Sequence, residues 1–434
     1  VPNNAGITTS KKLFAPRLGF AYRVGQKLVL RAGYGISIDP YQFPTAEALL
    51  FPYPTIIAQD FQSTNAFTSV SSLAAGIPAV QAPDLTSGVI ALPPNVGTVT
   101  LEEGMYRRGY IQSFNFMVER ELGTGYIASA GYVGTRTIRQ PVSRDINAAP
   151  VGTGNAGRPF FPIFGRATAT NVVAPSASAS FDSLQARLDR RFGDGLLLKT
   201  SYTWSKAINY SDGSAGSLLF NHDEVLERNR ALAGYDRTHN LRVAGVYDFP
   251  FGAGRRWANT RSLGGSLLGG WQLSGIFSAY SGTPFTVTAA ATSLNAPGNT
   301  QTADQIKPEV RKLGGIGRNV PFYDPTAFAP VTDVRYGNTG RNILRGPGVV
   351  NLDAVLMRNF RITERWQMQL RAESYNLTNT PAFDNPTTNV SNMRVVNGEI
   401  ADLGNFMSIT SARTRNGSVE GGERAFRFGL RLSF

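Results

Sequence analysis

The sequence predicts an all-β protein, the antiparallel up-and-down wall of a transmembrane β-barrel with about eleven strands. Three observations carry the prediction. Strands with one apolar and one polar face recur from end to end, whereas apolar residues at helical spacing are almost absent. Short connections alternate with long ones, so one rim of the sheet bears all the elaborated loops. Lastly, the segment Ala425 to Phe434 puts Phe426, Phe428, Leu430, Leu432 and Phe434 on one face and Arg427, Gly429, Arg431 and Ser433 on the other. No second apolar layer is evident to cover the first face, and lipid is the apolar partner that remains.

In chain order, Phe14 to Val24 has Leu18, Phe20 and Tyr22 on one face, turns at Gly25-Gln26-Lys27 and returns as Leu28 to Ile36. Ser37 to Gln112 carries no sustained periodicity and reads as a long loop. Phe114, Phe116 and Val118 then lead into Leu122-Gly123-Thr124-Gly125, and Tyr126, Ala128, Ala130 and Tyr132 lead out. Thr135 to about Asp182 reads as another loop, with the low-complexity run Ala174 to Ser180. The third hairpin alternates Leu184, Ala186 and Leu188 with Gln185, Arg187 and Asp189, turns at Phe192 to Gly195, and continues through Leu196, Leu198, Thr200, Tyr202 and Trp204.

After a loop from Lys206 to Asn240 comes the strand of Leu241, Val243, Gly245, Tyr247 and Phe249. Pro250 to Gly270 opens as a turn, and Trp271, Leu273, Gly275, Phe277 and Ala279 follow. Ser281 to about Val350 is long and loop-like. Asn351 to Phe360 and Trp366 to Tyr375 form the fifth hairpin, and Leu377 to Arg424 delivers the final strand. With the C-terminus on the short-turn side, Phe434 lies at the periplasmic rim and the long loops face outside.

Aromatic placement agrees with this orientation. Tyr22, Tyr126, Phe192, Phe249, Trp271, Phe360, Trp366 and Phe434 lie at short-turn ends, and Tyr34, Phe114, Tyr132, Tyr202 and Trp204 toward long-loop ends. Two belts suit two lipid interfaces. Arg190 and Arg358 fall on apolar faces near turns, where snorkelling to headgroups accommodates them.

Composition narrows the function classes. Of 434 residues 17% are charged, with Gly 46 and Pro 25, a balance that suits strands and turns. No cysteine occurs, which removes disulfides, thiolate metal sites and thiol nucleophiles. The net charge of +13 is spread singly, without a basic helix or cluster, and does not point to nucleic acid. His222 and His239 lack zinc spacing, and His239 reads as a hydrogen-bonding residue at a strand start. Ser211-Asp212-Gly213-Ser214 lacks the later ligands of a calcium loop and reads as a turn. No catalytic constellation follows from spacing, so neither enzyme, metal nor cofactor is expected.

Several stretches together resemble a known family. Phe14 to Tyr22, Tyr235 to Asn240 with Pro250 to Arg255, Gly270 to Ser274 with Ser281 to Phe285, and Arg371 to Asn376 with Asn379 are similar to the C-terminal barrel of Oar-like TonB-dependent outer-membrane transporters. The resemblance implies that residues 1–434 are part of the barrel domain, the C-terminal half of a 22-stranded wall that is open as it stands. It also implies that the plug and regulatory-like N-terminal domains lie outside this sequence, consistent with a start at Val1 and no signal-peptide pattern.

The implied partners are outer-membrane lipid and lipopolysaccharide, the missing plug, the TonB complex reached through the missing N-terminal part, and an unidentified solute. The implied function is active uptake of a scarce solute, energised by TonB. A soluble or secreted β-rich carbohydrate-binding module and a passive porin-like channel are the alternatives.

Two sets of candidate residues follow. Arg17, Arg31, Arg187, Lys199, Arg242, Arg371, Glu373, Arg427 and Arg431 stand on polar strand faces and are expected to line the lumen. Tyr41, Phe43, Phe51 and Tyr53 in the loop Ser37 to Gln112, with Phe322 and Tyr323 in Ser281 to Val350, are expected to contact solute, since binding residues concentrate on loops held by a rigid scaffold.

Overall fold

The alternation of apolar and polar residues folds as the period-2 pattern requires, into eleven consecutive antiparallel strands in one sheet. The computed structural model describes residues 13–39, 108–413 and 422–434, apart from gaps at 124, 214, 253, 260–267 and 364; elsewhere it describes residues 7–9 and isolated stretches between 53 and 106, such as 83–88 and 96–101. The wall strands are β1 (Arg17–Val24), β2 (Leu28–Ile38), β3 (Tyr110–Gly123), β4 (Tyr126–Asp145), β5 (Thr170–Gly193) and β6 (Leu196–Asn209). They continue as β7 (His239–Asp248), β8 (Trp271–Tyr280), β9 (Val349–Arg361), β10 (Gln367–Tyr375) and β11 (Ala425–Ser433).

Each strand pairs with its neighbour in sequence, and among the described residues β1 and β11 are the two ends of the sheet, which does not close. The short turns fit their residues. Between β5 and β6, Asp194 and Gly195 both have positive φ, 48° and 79°, the geometry whose twist matches a two-residue hairpin.

Register fixes the faces across the wall. Ala21 lies opposite Arg31, and the row runs on through Met117, Gly131, Gln185, Thr203, Asn240, Tyr280 and Val349. Because side chains alternate, this single row assigns one polar face to the whole sheet. The other face carries Leu18, Phe20, Phe116, Leu184, Trp204, Leu273, Leu356, Leu370 and Phe428, all exposed. Phe428 is 83% accessible and Leu18 72%, so no second protein layer covers this face. Such a surface in one contiguous band belongs in hydrocarbon.

The two rims of the apolar face end differently. At the short-turn rim Trp366 and Phe434 pack with ring centroids 5.2 Å apart, and Arg358 lies over the rings of Phe360 and Trp271 at 4.0 and 5.2 Å. Arg190 lies over Tyr126 at 5.3 Å. At the long-loop rim Phe114 and Tyr132 pair at 5.9 Å, and just beyond them Arg136 donates to Asp182 at 2.8 Å while the Tyr132 hydroxyl donates to the same carboxylate. The change from rings to charges marks the headgroup level.

Half of the segment Thr135 to Asp182, expected to be a loop, belongs to wall strands, residues 135–145 and 170–182. β4 has 20 residues and β5 has 24, and the low-complexity run Ala174 to Ser180 lies inside β5. At about 3.3 Å per residue β5 extends roughly 80 Å, far beyond a lipid band about 25 Å tall, so the hairpin projects past the outer rim. Pro141 and Pro175 face each other beside a bulge, where a missing N–H is tolerated. Three loop segments add to the projection: Thr98–Leu101 pairs with β5, Gly216–Ser217 with β4 and Ala231–Leu232 with β6.

The main apolar core of the described residues is in the loops, not in the wall. Phe285, Val287, Ala303, Phe322, Phe328, Val390, Phe406, Met407 and Ile409 form one buried cluster from the connections after β8 and β10. Tyr280, Val349 and Ala382 form a smaller cluster at the outer ends of β8 and β9. A folded cap therefore sits on the outer rim and is joined to the wall through that second cluster.

Candidate functional site

The nine wall candidates share the polar face, since each falls on the Arg31 row or an even number of residues from it. The register thus brings Arg17, Arg31, Arg187, Lys199, Arg242, Arg371, Glu373, Arg427 and Arg431 to one surface. Several are partnered. Arg31 stands 3.7 Å from Glu119, Arg371 pairs with Glu373 at 2.7 Å, and Arg187 pairs with Asp189. Arg427 lies over the Tyr375 ring at 5.4 Å, and the Tyr375 hydroxyl donates to Glu373 at 3.2 Å. The face is a cationic surface with carboxylates set among the guanidiniums, not a bare positive field.

The aromatic candidates divide. Tyr41, Phe43 and Phe51 lie outside the described residues, and Tyr53 is half-buried. Phe322 and Tyr323 require correction: they are 3% and 8% accessible and belong to the loop core, with ring centroids 5.2 Å apart. The Tyr323 hydroxyl donates to the carbonyl of Arg345 at 2.8 Å. Burial pushes this phenol up. Their apolar bulk stabilises the cap, which removes them from any surface a solute could reach.

The motif Tyr235 to Asn240 fastens the cap to the wall. Asp236 is 2% accessible, accepts from the Ala207 amide at 2.6 Å and pairs with Arg345. Arg237 donates to the Ser281 carbonyl at 2.6 Å and lies over Tyr280 at 4.7 Å. His239, the first residue of β7, shares a hydrogen bond of 2.8 Å with the Tyr202 hydroxyl through Nδ1, as a strand-start role requires. The Asp212 carboxylate accepts from the Asn209 side chain at 2.8 Å and the Gly234 amide at 2.9 Å, which closes the turn after β6. Asn376 accepts from and donates to the Thr380 backbone, at 3.0 Å each way. Among the described residues, no group of three or more His, Asp or Glu side chains could hold a metal ion.

The structure also gathers residues that the sequence did not single out. Arg228, Arg230, Arg341 and Tyr336 line an open polar cavity of about 600 Å³ between the connections after β6 and β8. Arg228 lies 5.1 Å from the ring centres of both Phe220 and Tyr336 and donates through Nη2 to the carbonyls of Gly337 and Thr339. Burial holds its pKa below the ordinary arginine value and pushes the Tyr336 phenol up to about 12. Their spacing of more than a hundred residues left no local pattern to read.

A sheet whose apolar face is bare, whose polar face is charged and whose loops rise from one rim defines an outer-membrane barrel wall. Residues 1–425 match the family described as Outer membrane beta barrel domain, and the chain belongs to that family and to the bacterial outer membrane. A stretch of 85 residues is 33% identical to the TonB-dependent transporter Oar of Myxococcus xanthus, covering 17% of this chain and 8% of that protein.

Among solved structures, BauA, the ferric preacinetobactin receptor of Acinetobacter baumannii, aligns with 96% of this chain and 36% of its own at 10% identity and TM-score 0.43. The outer-membrane transporter YddB of Escherichia coli aligns with 94% of this chain and 38% of its own at 9% identity and TM-score 0.42. The chain thus spans well under half the length of each. By name, Oar and YddB are transporters and BauA is a receptor.

Proposed function

We propose that the chain forms part of the wall and outer cap of a TonB-dependent transporter, in which the nine polar-face residues line a plugged lumen and the outer loops capture a solute. One observation carries this reading: among the described residues the eleven strands pair in sequence order, with bulges only in the pairs β3–β4, β4–β5 and β5–β6, and the sheet does not close. Unpaired strand edges are not viable in hydrocarbon, so the wall has to be completed by further strands, and large plugged barrels have 22. Arg17 and Arg31 on one side, and Arg371, Glu373, Arg427 and Arg431 on the other, then face a common interior where a plug and an anionic solute are both attracted.

The test is uptake by cells carrying the full-length protein, with and without TonB. Uptake lost on TonB deletion supports energised transport; uptake that persists at the same rate means a passive channel instead. A second arm deletes residues 45–90, which removes Phe51 and Tyr53 but keeps Leu101 and the backbone of Pro93 and Val96, where the wall hairpin is anchored through Arg166. Capture by this loop predicts lost binding with normal heat-resistant barrel migration, and unchanged uptake rules the loop out.

A further inference from the structure

We infer that the cavity lined by Arg228, Arg230, Arg341 and Tyr336 is an oxyanion-binding site, built to take the phosphate or carboxylate group of a larger solute. It deepens the transport reading by naming the chemistry of the solute, but the site stands on its own geometry.

Three guanidiniums line one cavity, and no carboxylate is among its lining residues. The acids nearby stand outside the lining: Asp212 is 3.2 Å from Arg341 on the side of the turn after β6, Glu227 accepts from the Tyr210 hydroxyl at 2.7 Å, and Glu224, close enough to act on Tyr336, is exposed. Arg228 uses only Nη2, which leaves Nη1 and Nε without an acceptor among the described residues. Arg230 is exposed, and its guanidinium makes no hydrogen bond or ion pair there. The Tyr336 hydroxyl is buried and has no partner, which is costly for a polar group unless something else supplies one.

The positions suit their roles. Arg341, 6% accessible, is fixed by the carbonyls of Asn209 and Asn229 at 3.1 and 2.9 Å. Arg228 is clamped between two rings. Two cations are therefore held before any ligand arrives, and the exposed Arg230 adds a third charge to the lining. Preorganised guanidiniums bind oxyanions through charge-assisted, often bidentate hydrogen bonds. A volume of about 600 Å³ exceeds what a single phosphate fills, so the anion is one group of a larger molecule.

The test is calorimetric titration of the purified full-length protein in detergent with inorganic phosphate and, separately, with acetate. Binding of at least one probe in the millimolar range is expected. Arg230→Ala should weaken it about tenfold, the worth of one charge-assisted contact. Tyr336→Phe should weaken it several-fold, and Arg394→Ala, on an exposed loop strand elsewhere, should leave it unchanged. The stronger probe identifies the group. No heat from either probe up to about 50 mM, or equal affinity in wild type and Arg230→Ala, overturns the assignment. Because binding is read on the isolated protein, failure here is distinct from failure of TonB-driven uptake.

Discussion

Arg341 donates twice to Asn209, from Nη1 to its carbonyl at 3.1 Å and from Nη2 to its side-chain oxygen at 3.0 Å, so a loop residue closes the outer end of β6. The residues are 132 positions apart. Asn209 shares the polar face with Lys199, which sets this joint on the inner side of the wall.

Replacing Arg341 by Ala leaves the Asn209 and Asn229 carbonyls without that donor, at a cost of roughly 1–3 kcal/mol to cap docking. Limited proteolysis should cut the 330–345 region faster while the barrel keeps its heat-resistant migration. Cleavage at the wild-type rate would show that the cap is held elsewhere.

Opposite faces of β10 should respond oppositely to charge. Leu370 faces lipid opposite Leu430, and Gln369 faces inward opposite Arg431. Leu370→Arg should cost about 2–4 kcal/mol in denaturant unfolding of the full-length protein in bilayers, and Gln369→Arg well under half of that. Equal costs would contradict the assignment of faces.

Trp204 projects from the apolar face at the outer rim and is 55% accessible. In a variant keeping it as the one tryptophan, lipids brominated near the headgroup should quench its emission strongly, and acrylamide only weakly. The reverse order would place β6 in water.

Acid should loosen the cap before the wall. Hydrogen bonds from Arg335, with one from the Asn338 amide, hold the Asp304 carboxyl below its ordinary 3.8 in spite of burial. A lowered carboxyl pKa stabilises the fold above the unfolded value, and that contribution is lost as pH falls through the folded value. Amide exchange protection over residues 301–339 should therefore be constant from about pH 7 to 5 and drop below about pH 4. Asp304→Asn should remove part of the pH dependence and leave the share of Asp324, which hydrogen bonds from Lys307 and Thr326 also hold low in spite of burial; a drop already near pH 6 would assign the transition to another group.

The wall was legible because a strand writes its faces locally. Trp366 to Tyr375 is expected from alternation alone and is found as Gln367–Tyr375. The projecting halves of β4 and β5 were not legible, since Ala174 to Ser180 has no apolar alternation and is held by its partner strand and by Val142, Ala177 and Leu218. The cap was opaque for a different reason. Val287 and Val390 come from two irregular connections separated by the β9–β10 hairpin, so nothing periodic marks them, and Phe322 reads as a displayed ring when it is a buried one. Arg228 donates mainly to backbone carbonyls, which leave no complementary residue type in the sequence, and the partners of Arg341, Asn209 and Asp212, lie more than a hundred residues away.

The shared core of the connections after β8 and β10 has a mechanical consequence. A molecule arriving from outside meets one folded plate and not a set of separate flaps, because displacing either connection exposes side chains of both. The weaker line is the seam along Arg228, Arg341 and the Phe220–Tyr336 ring pair, where polar contacts prevail.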